Sequence, residues 1–379
     1  MKIFITSHNS TIGGGISVAH NIISALKKVG PEHDYFFSIP DNLGYEDVCK
    51  ALPNHQYIIL KRTHLIKRWY WETFKLPRII EMYNPDVIFN MANRGFLPCK
   101  IPQATFIQDP HLYYPNKHFG QVNFIEQFKF LYHRSHLRRS LKYTSVLLCL
   151  TDVAAKRINA FYKIQLCIAL SPFQLLLFTS SSFKLKEVPA FLKDQKKLKL
   201  FVLTRYYAHK NLEIIVDLVK TYKEQLKDVL FILTINENEH IGAAKLIKEI
   251  KKYNLSDHIV TVGTLKYADL PSYFQHIDAL FLPTLLESYS GTYVEAMHYK
   301  KPILTSDFDF ARHICGKAAL YYNPNEVDDI CNVILRLKDE PNLYSQLVEE
   351  GQTRLKSNFS DWHEITKNIL FELQKLYVA

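Results

Sequence analysis

Cysteine is sparse in this sequence, and none of it is arranged for chemistry. Cys49, Cys99, Cys149, Cys167, Cys315 and Cys331 are scattered with no CxxC pair. His313, two places before Cys315, is too little for a metal site. What remains is a set of buried thiols in a reducing compartment. No apolar run approaches the roughly 20 residues of a membrane helix. The run at 1–6 is too short for a signal peptide, so it reads as a first strand and the expected location is cytoplasmic. A GxGxxG fingerprint is missing as well. So is any recognisable nucleic-acid motif, and nucleic acid is not an expected partner.

What is present is a chain of 379 residues, long enough for two domains with full cores, and 47% hydrophobic, which excludes disorder. Lys and Arg outnumber Asp and Glu by 47 to 37, a net charge of +10 that favours an anionic partner. The positive charge is clustered. Lys61, Arg62, Lys67 and Arg68 lead into Trp69-Tyr70-Trp71, then Lys75 and Arg78. Lys129, Arg134, Arg138, Arg139 and Lys142 lie beside Phe128, Phe130, Leu131 and Tyr132. Bases mixed with Trp and Tyr suit a peripheral contact with an anionic membrane through Lys67, Arg68, Trp69, Trp71, Arg138 and Arg139. They equally suit a solvated helix face with its aromatics in the core, and both readings stand open.

Along the chain, KIFIT is a buried strand, followed by the loop SHNSTIGGG and a helix with Val18, Ile22, Ala25, Leu26 and Val29 on one face, closed by Gly30. Strand, glycine-rich loop and helix open a doubly wound domain. Its Gly14 and Gly15 serve a flexible turn or a phosphate cradle equally well. Further strands are expected at 35–38, 57–60, 87–90, 104–107 and 146–150, and Thr151-Asp152 caps another helix. The region 171–197 loses periodicity and collects Pro172, Pro189 and a Ser/Thr run, as a linker does. At Lys199 the pattern restarts with KLFVLT, an echo of KIFIT. Helices from 211, 241 and near 270 alternate with strands at 230–235, 259–262 and 279–282, and the last helices start at 325, 342 and 362. Such alternation points to parallel sheets with ligands at the strand C-termini.

The stretch 281–305, FLPTLLESYSGTYVEAMHYKKPILT, carries the sharpest signal. A strand ends near Leu282, a loop runs to Ser290, a helix starts near Gly291, and a strand follows the Lys-Pro break. Glu287 lies in the loop and Glu295 eight positions on. Ser290 is placed to cap the helix, and Gly291 lets a ligand approach the backbone. The amides of Gly291, Thr292 and Tyr293 form an anion site at the helix's positive end. A phosphate there, with carboxylates on either side to accept from hydroxyls, suits a sugar nucleotide. In isolation two solvated glutamates are the simpler account.

This segment resembles the Glu-x7-Glu signature of glycosyltransferase family 4, the glycosyl transferases group 1. The tail Glu295-Ala296-Met297, the Lys-Pro step, Thr305-Ser306-Asp307 and the run from Gly316 to Tyr321 before Pro324 match the same pattern. Ser290 departs from it, since the family usually has Gly three places after the first Glu. The resemblance implies an α/β protein of two facing Rossmann-like domains, the GT-B fold, with the active site in the cleft between them. The first domain (1–175) then binds acceptor, 176–198 is a linker, 199–357 binds the nucleotide sugar, and 358–379 is a helix crossing back. The Arg-x4-Lys of the family falls on Arg205 and Lys210, which clamp the β-phosphate where charge develops. By the same resemblance Glu295 accepts from the ribose, Glu287 from the transferred sugar, and the loop with Gly263, Thr264 and Leu265 lies near the base. Gly14 and Gly15 face the donor. Asp109 lies near the reacting sugar, with Gln108 where members often carry His and with His111 close by. The implied activity is a retaining, hexosyltransferase-type transfer from a UDP- or GDP-linked donor to a glycan or lipid-linked acceptor, in cell-surface polysaccharide or lipopolysaccharide biosynthesis. Attack is assisted by the leaving phosphate, so no protein nucleophile, metal or cofactor is required.

Three rivals remain. Paired carboxylates also serve glycoside hydrolases, which need no cationic clamp. Asp307-Phe308-Asp309 spells DxD, as in metal-dependent transferases, but falls late in the chain. The third is a non-catalytic sugar-nucleotide-binding protein on a GT-B scaffold.

Overall fold

The computed structural model describes the chain except residues 12, 62–69, 92, 171–185, 194–195, 359 and 379, and only the backbone of 357 and 358. Arg62, Lys67, Arg68 and Trp69, and most of the expected linker, therefore lie outside the described residues.

The chain forms two compact units. The first comprises Met1–Tyr113, Phe124–Gln174 and Ser360–Ala379. Its sheet contains β1 (Lys2–Thr6), β2 (Asp34–Pro40), β3 (His55–Leu60), β4 (Val87–Asn90), β5 (Gln103–Phe106), β6 (Val146–Cys149) and β7 (Cys167–Ala169). The order is β3-β2-β1-β4-β5-β6-β7, with every pair parallel. β1, β4 and β6 are buried along nearly their whole length, which is why they read as continuous apolar runs rather than alternating ones. β7 is a three-residue edge strand, too short for the sequence pattern to reveal.

The helix Gly14–Val29 returns the chain from β1 to β2, burying Ala19, Ile22, Ile23, Ala25 and Leu26. It begins at Gly14, so Gly14 and Gly15 form its first turn rather than the end of a loop. Gly30 stops it by donating its amide to the Leu26 carbonyl at 3.0 Å. A Cβ there would lie 2.7 Å from both Leu370 Cδ1 and the Tyr35 hydroxyl, so a larger residue would have to displace those side chains. Leu370 belongs to the helix Trp362–Val378, which packs on Gly14–Val29 and buries Trp362, Ile365, Ile369 and Leu373.

The second unit comprises Tyr114–Asn123 and Leu175–Phe359. The short first segment belongs here because it packs here: a Cβ on Gly120 would lie 2.3 Å from the Ala208 carbonyl oxygen, and the Tyr114 hydroxyl donates to Asp309 at 3.0 Å. Its sheet holds β8 (Leu198–Val202), β9 (Val229–Leu233), β10 (Ile259–Thr261), β11 (Ala279–Leu282), β12 (Ile303–Ser306) and β13 (Ala319–Tyr322). They run parallel in the order β10-β9-β8-β11-β12-β13. Phe231 and Phe281 stack edge to face at 5.3 Å in a core with Leu200, Val202, Leu218 and Ile334. Truncating either ring there costs about 3–5 kcal/mol. β8 occupies the place in this sheet that β1 holds in the other, which is what the KLFVLT echo of KIFIT signals.

Candidate nucleotide-sugar site

In the second sheet the strand order reverses between β8 and β11, and ligands of doubly wound sheets bind beyond the strand C-termini at that step. Two loops meet there. One follows β8 and ends in the short helical turn Ala208–Lys210; the other follows β11 and runs to Ser290. The Leu285 amide donates to the His209 carbonyl at 2.7 Å, and the Thr284 hydroxyl donates to it at 3.3 Å. With the loops pinned, the Lys210 ammonium donates to Glu287 Oε1 in a close ion pair, both side chains largely buried. The two residues are 77 positions apart.

The helix Gly291–His298 follows directly. Ser290 occupies its N-cap position, but its hydroxyl makes no capping bond, so the expected side-chain cap is not formed. The Tyr293 amide donates to the Ser290 carbonyl at 3.2 Å, which leaves Gly291 and Thr292 as the amides without an acceptor among the described residues. The Tyr293 side chain is fully buried, with its hydroxyl 2.7 Å from Thr305 Oγ1, and Thr305 in turn donates to the Leu282 carbonyl at 3.0 Å. Tyr293 thus bolts the helix to β11 and β12 instead of lining a site. Glu295, in the second turn of this helix, is 6% exposed and meets no hydrogen-bond donor among the described residues. Burial pushes its carboxyl up to about 7.

Arg205 is exposed on the loop after β8, away from the Lys210–Glu287 pair in hydrogen bonding. Thr264 and Leu265 follow Gly263, whose φ of +73° makes the turn out of β10. Glu239, which the motif reading passes over, ties these loops together. It accepts from the Tyr206 amide at 2.9 Å and from the Thr264 hydroxyl at 3.3 Å. Its only signal in the sequence is an acid soon after β9.

Gly14, Gly15 and Asp109 lie in the first unit. Asp109 follows β5, where the Asn93 side chain accepts from its amide at 2.9 Å. The Gln108 side chain donates to the Met91 carbonyl at 3.3 Å, a structural contact. Asp109 Oδ1 accepts from His111 Nδ1 at 2.7 Å. Burial opposes ionisation of Asp109, but the hydrogen bonds and charge of His111 outweigh it and hold the carboxyl below its ordinary value. At this sheet's own reversal, between β1 and β4, Glu72 accepts from Asn9 at 3.2 Å and from Arg94 at 3.1 Å, and lies 3.3 Å from His8 Nε2. Glu72 stands on a π-helical turn, Trp71–Lys75, an irregularity that no sequence pattern announced.

Among the described residues no group of three His, Cys, Asp or Glu could hold a metal ion. The DxD acids have protein partners of their own: Asp307 forms a two-pronged pair with Arg312, and Asp309 accepts from Tyr114. All six cysteines are free, five of them buried and Cys99 half-buried. No helix among the described residues is long and apolar enough to cross a membrane.

Two parallel Rossmann-like sheets, each with its reversal point, define an α/β protein of the GT-B type. The fold matches that of Anabaena HepE in complex with UDP-glucose, at a TM-score of 0.73 and 15% identity over 99% of this chain and 100% of that one. It also matches sucrose-phosphate synthase from Thermosynechococcus elongatus, with a TM-score of 0.75 and 14% identity over 100% and 99% of the two chains. Residues 184–354 match the family described as Glycosyl transferases group 1, and this stretch belongs to that family. A stretch of 134 residues, 35% of the chain, is 28% identical to the MMP alpha-(1->4)-mannosyltransferase of Mycolicibacterium hassiacum, and it spans 32% of that protein's length.

Proposed function

We propose that the chain is a retaining, hexosyl-type glycosyltransferase that moves a sugar from a UDP- or GDP-linked donor to a glycan or lipid-linked acceptor. It works in the cytoplasm, without a metal ion, in cell-surface polysaccharide or lipopolysaccharide assembly. The observation that carries this is the Lys210–Glu287 pair at the β8–β11 reversal, followed in the next helix by a buried Glu295 that meets no donor among the described residues. A diphosphate placed between Lys210, Arg205 and the amides of Gly291 and Thr292 has its charge met on three sides. Glu295 then accepts from the ribose hydroxyls, and Glu287 accepts from the sugar while steering Lys210. Thr264 and Leu265 lie toward the base. The UDP-glucose in the HepE structure and the activity named for the mannosyltransferase support this donor class.

A thermal-shift panel of UDP-, GDP- and ADP-sugars tests the reading. A donor at a hundredfold excess over its dissociation constant adds about 2.7 kcal/mol to stability. One base should raise the melting temperature of wild type clearly more than that of Glu295→Gln. No shift with any of the three would sink the proposal.

A further inference from the structure

The helix Phe124–Ser140 of the first unit presents an apolar stripe to solvent. Phe124 is 80% exposed, Ile125 79%, Phe128 66%, Leu131 55% and Tyr132 43%. At 3.6 residues per turn these five side chains fall within an arc of about 120°. The opposite side faces the unit's own core. Leu137 and Ser140 are buried there, Phe130 stacks on His111 with ring centres 4.2 Å apart, and Arg134 Nε donates to the His111 carbonyl at 2.8 Å. Lone exposed apolar residues need no explanation, but five in one stripe mark an interaction surface.

The charge around the stripe selects the partner. Arg139 is exposed on the same arc at the helix's C-terminal end, exposed Arg138 borders it with its guanidinium 5.7 Å from the Tyr162 ring, Lys129 flanks it, and exposed Lys142 continues it in the turn Leu141–Tyr143. Glu126 is the helix's one carboxylate, and it is half-buried on the other side. Apolar and aromatic side chains bordered by Arg and Lys match the interface of a bilayer with anionic headgroups. We infer that this helix is the face by which the protein docks on an anionic lipid surface. Trp71 takes no part in it: its ring is half-buried against Phe4, Leu76, Ile80 and Ile88.

The inference is independent of the donor site, because its readout is binding rather than transfer. The full chain is sedimented with vesicles of phosphatidylcholine alone or mixed with phosphatidylglycerol. Wild type should pellet with the anionic vesicles. Phe128→Ser/Leu131→Ser should lose about tenfold or more in binding with an unchanged melting temperature, since these side chains are exposed. Arg138→Gln/Arg139→Gln should reduce anionic binding toward the neutral level. Equal binding of wild type to both vesicle types, or binding indifferent to the four substitutions, overturns the inference. So does self-association that Phe128→Ser/Leu131→Ser abolishes in a wild type without vesicle binding, which would give the face to a second copy.

Discussion

Lys210 and Glu287 are joined across the reversal of the second sheet, so the cation proposed for the donor phosphate is already held by the carboxylate proposed for the sugar. The pair alters what each substitution should do. Glu287→Gln frees Lys210 from its counter-charge, so affinity for free nucleotide diphosphate should stay unchanged or tighten, while transfer falls about ten- to hundredfold. Glu295→Gln replaces the charged ribose acceptor with a neutral amide, forfeiting much of a charged hydrogen bond of about 1.5–3 kcal/mol, and should weaken free nucleotide by up to about a hundredfold. Calorimetry with UDP and GDP separates the two. Equal weakening by both variants would show the roles to be misassigned.

Glu295 also gives a pH signature. The unfolded chain loses this proton near the ordinary glutamate value of 4.5, whereas the folded protein keeps it to about 7. Between these values the folded state binds more protons, so stability falls as pH rises through the window. The loss is about 3 kcal/mol above it. Glu295→Gln should therefore melt higher than wild type at pH 8 and close to it at pH 4.5. Nucleotide affinity of wild type should weaken as pH falls below 7, and that of the variant should stay flat. Melting curves at the two pH values that rank the proteins alike would contradict the burial argument.

Tyr293→Phe should leave nucleotide binding untouched, because the hydroxyl faces Thr305 and not the site. It removes a net hydrogen bond of about 1 kcal/mol, or roughly 2–4 °C in the melting temperature of this unit. A change in nucleotide affinity without a change in stability would place the ring in the site after all.

Transfer should survive EDTA, with Lys210, Arg205 and the helix amides balancing the diphosphate. Activity lost to EDTA and restored by magnesium or manganese would recast Asp307 and Asp309 as ligands, in which case Asp307→Asn should abolish the metal response.

Most strands were legible because their burial on both faces leaves short Val, Ile, Leu and Phe runs between turn signals, and β11 falls at 279–282 as expected. The signature glutamates were legible by resemblance, since a loop and the helix behind it keep a fixed spacing. Other features depend on contacts that sequence spacing does not encode. The Lys210–Glu287 pair is one. The Tyr293–Thr305 bolt is another, and it buries the ring of a residue whose amide alone was counted toward the donor. Glu239 and Glu72 are single acids whose importance lies in which loops they bridge. The exposed stripe on Phe124–Ser140 was masked because the helix is apolar on two sides, so its periodicity cancels.

The packing of Trp362–Val378 on Gly14–Val29 has a consequence for biosynthesis. While the ribosome is still translating the second unit, the first has its complete sheet but not the helix that packs on Gly14–Val29. Residues 362–378 must clear the exit tunnel before that surface closes. The second unit, whose core needs nothing beyond residue 359, is thus free to fold ahead of the unit that emerged before it. A nascent chain halted between them would present to chaperones the side of Gly14–Val29 that this helix otherwise covers, at its oldest end.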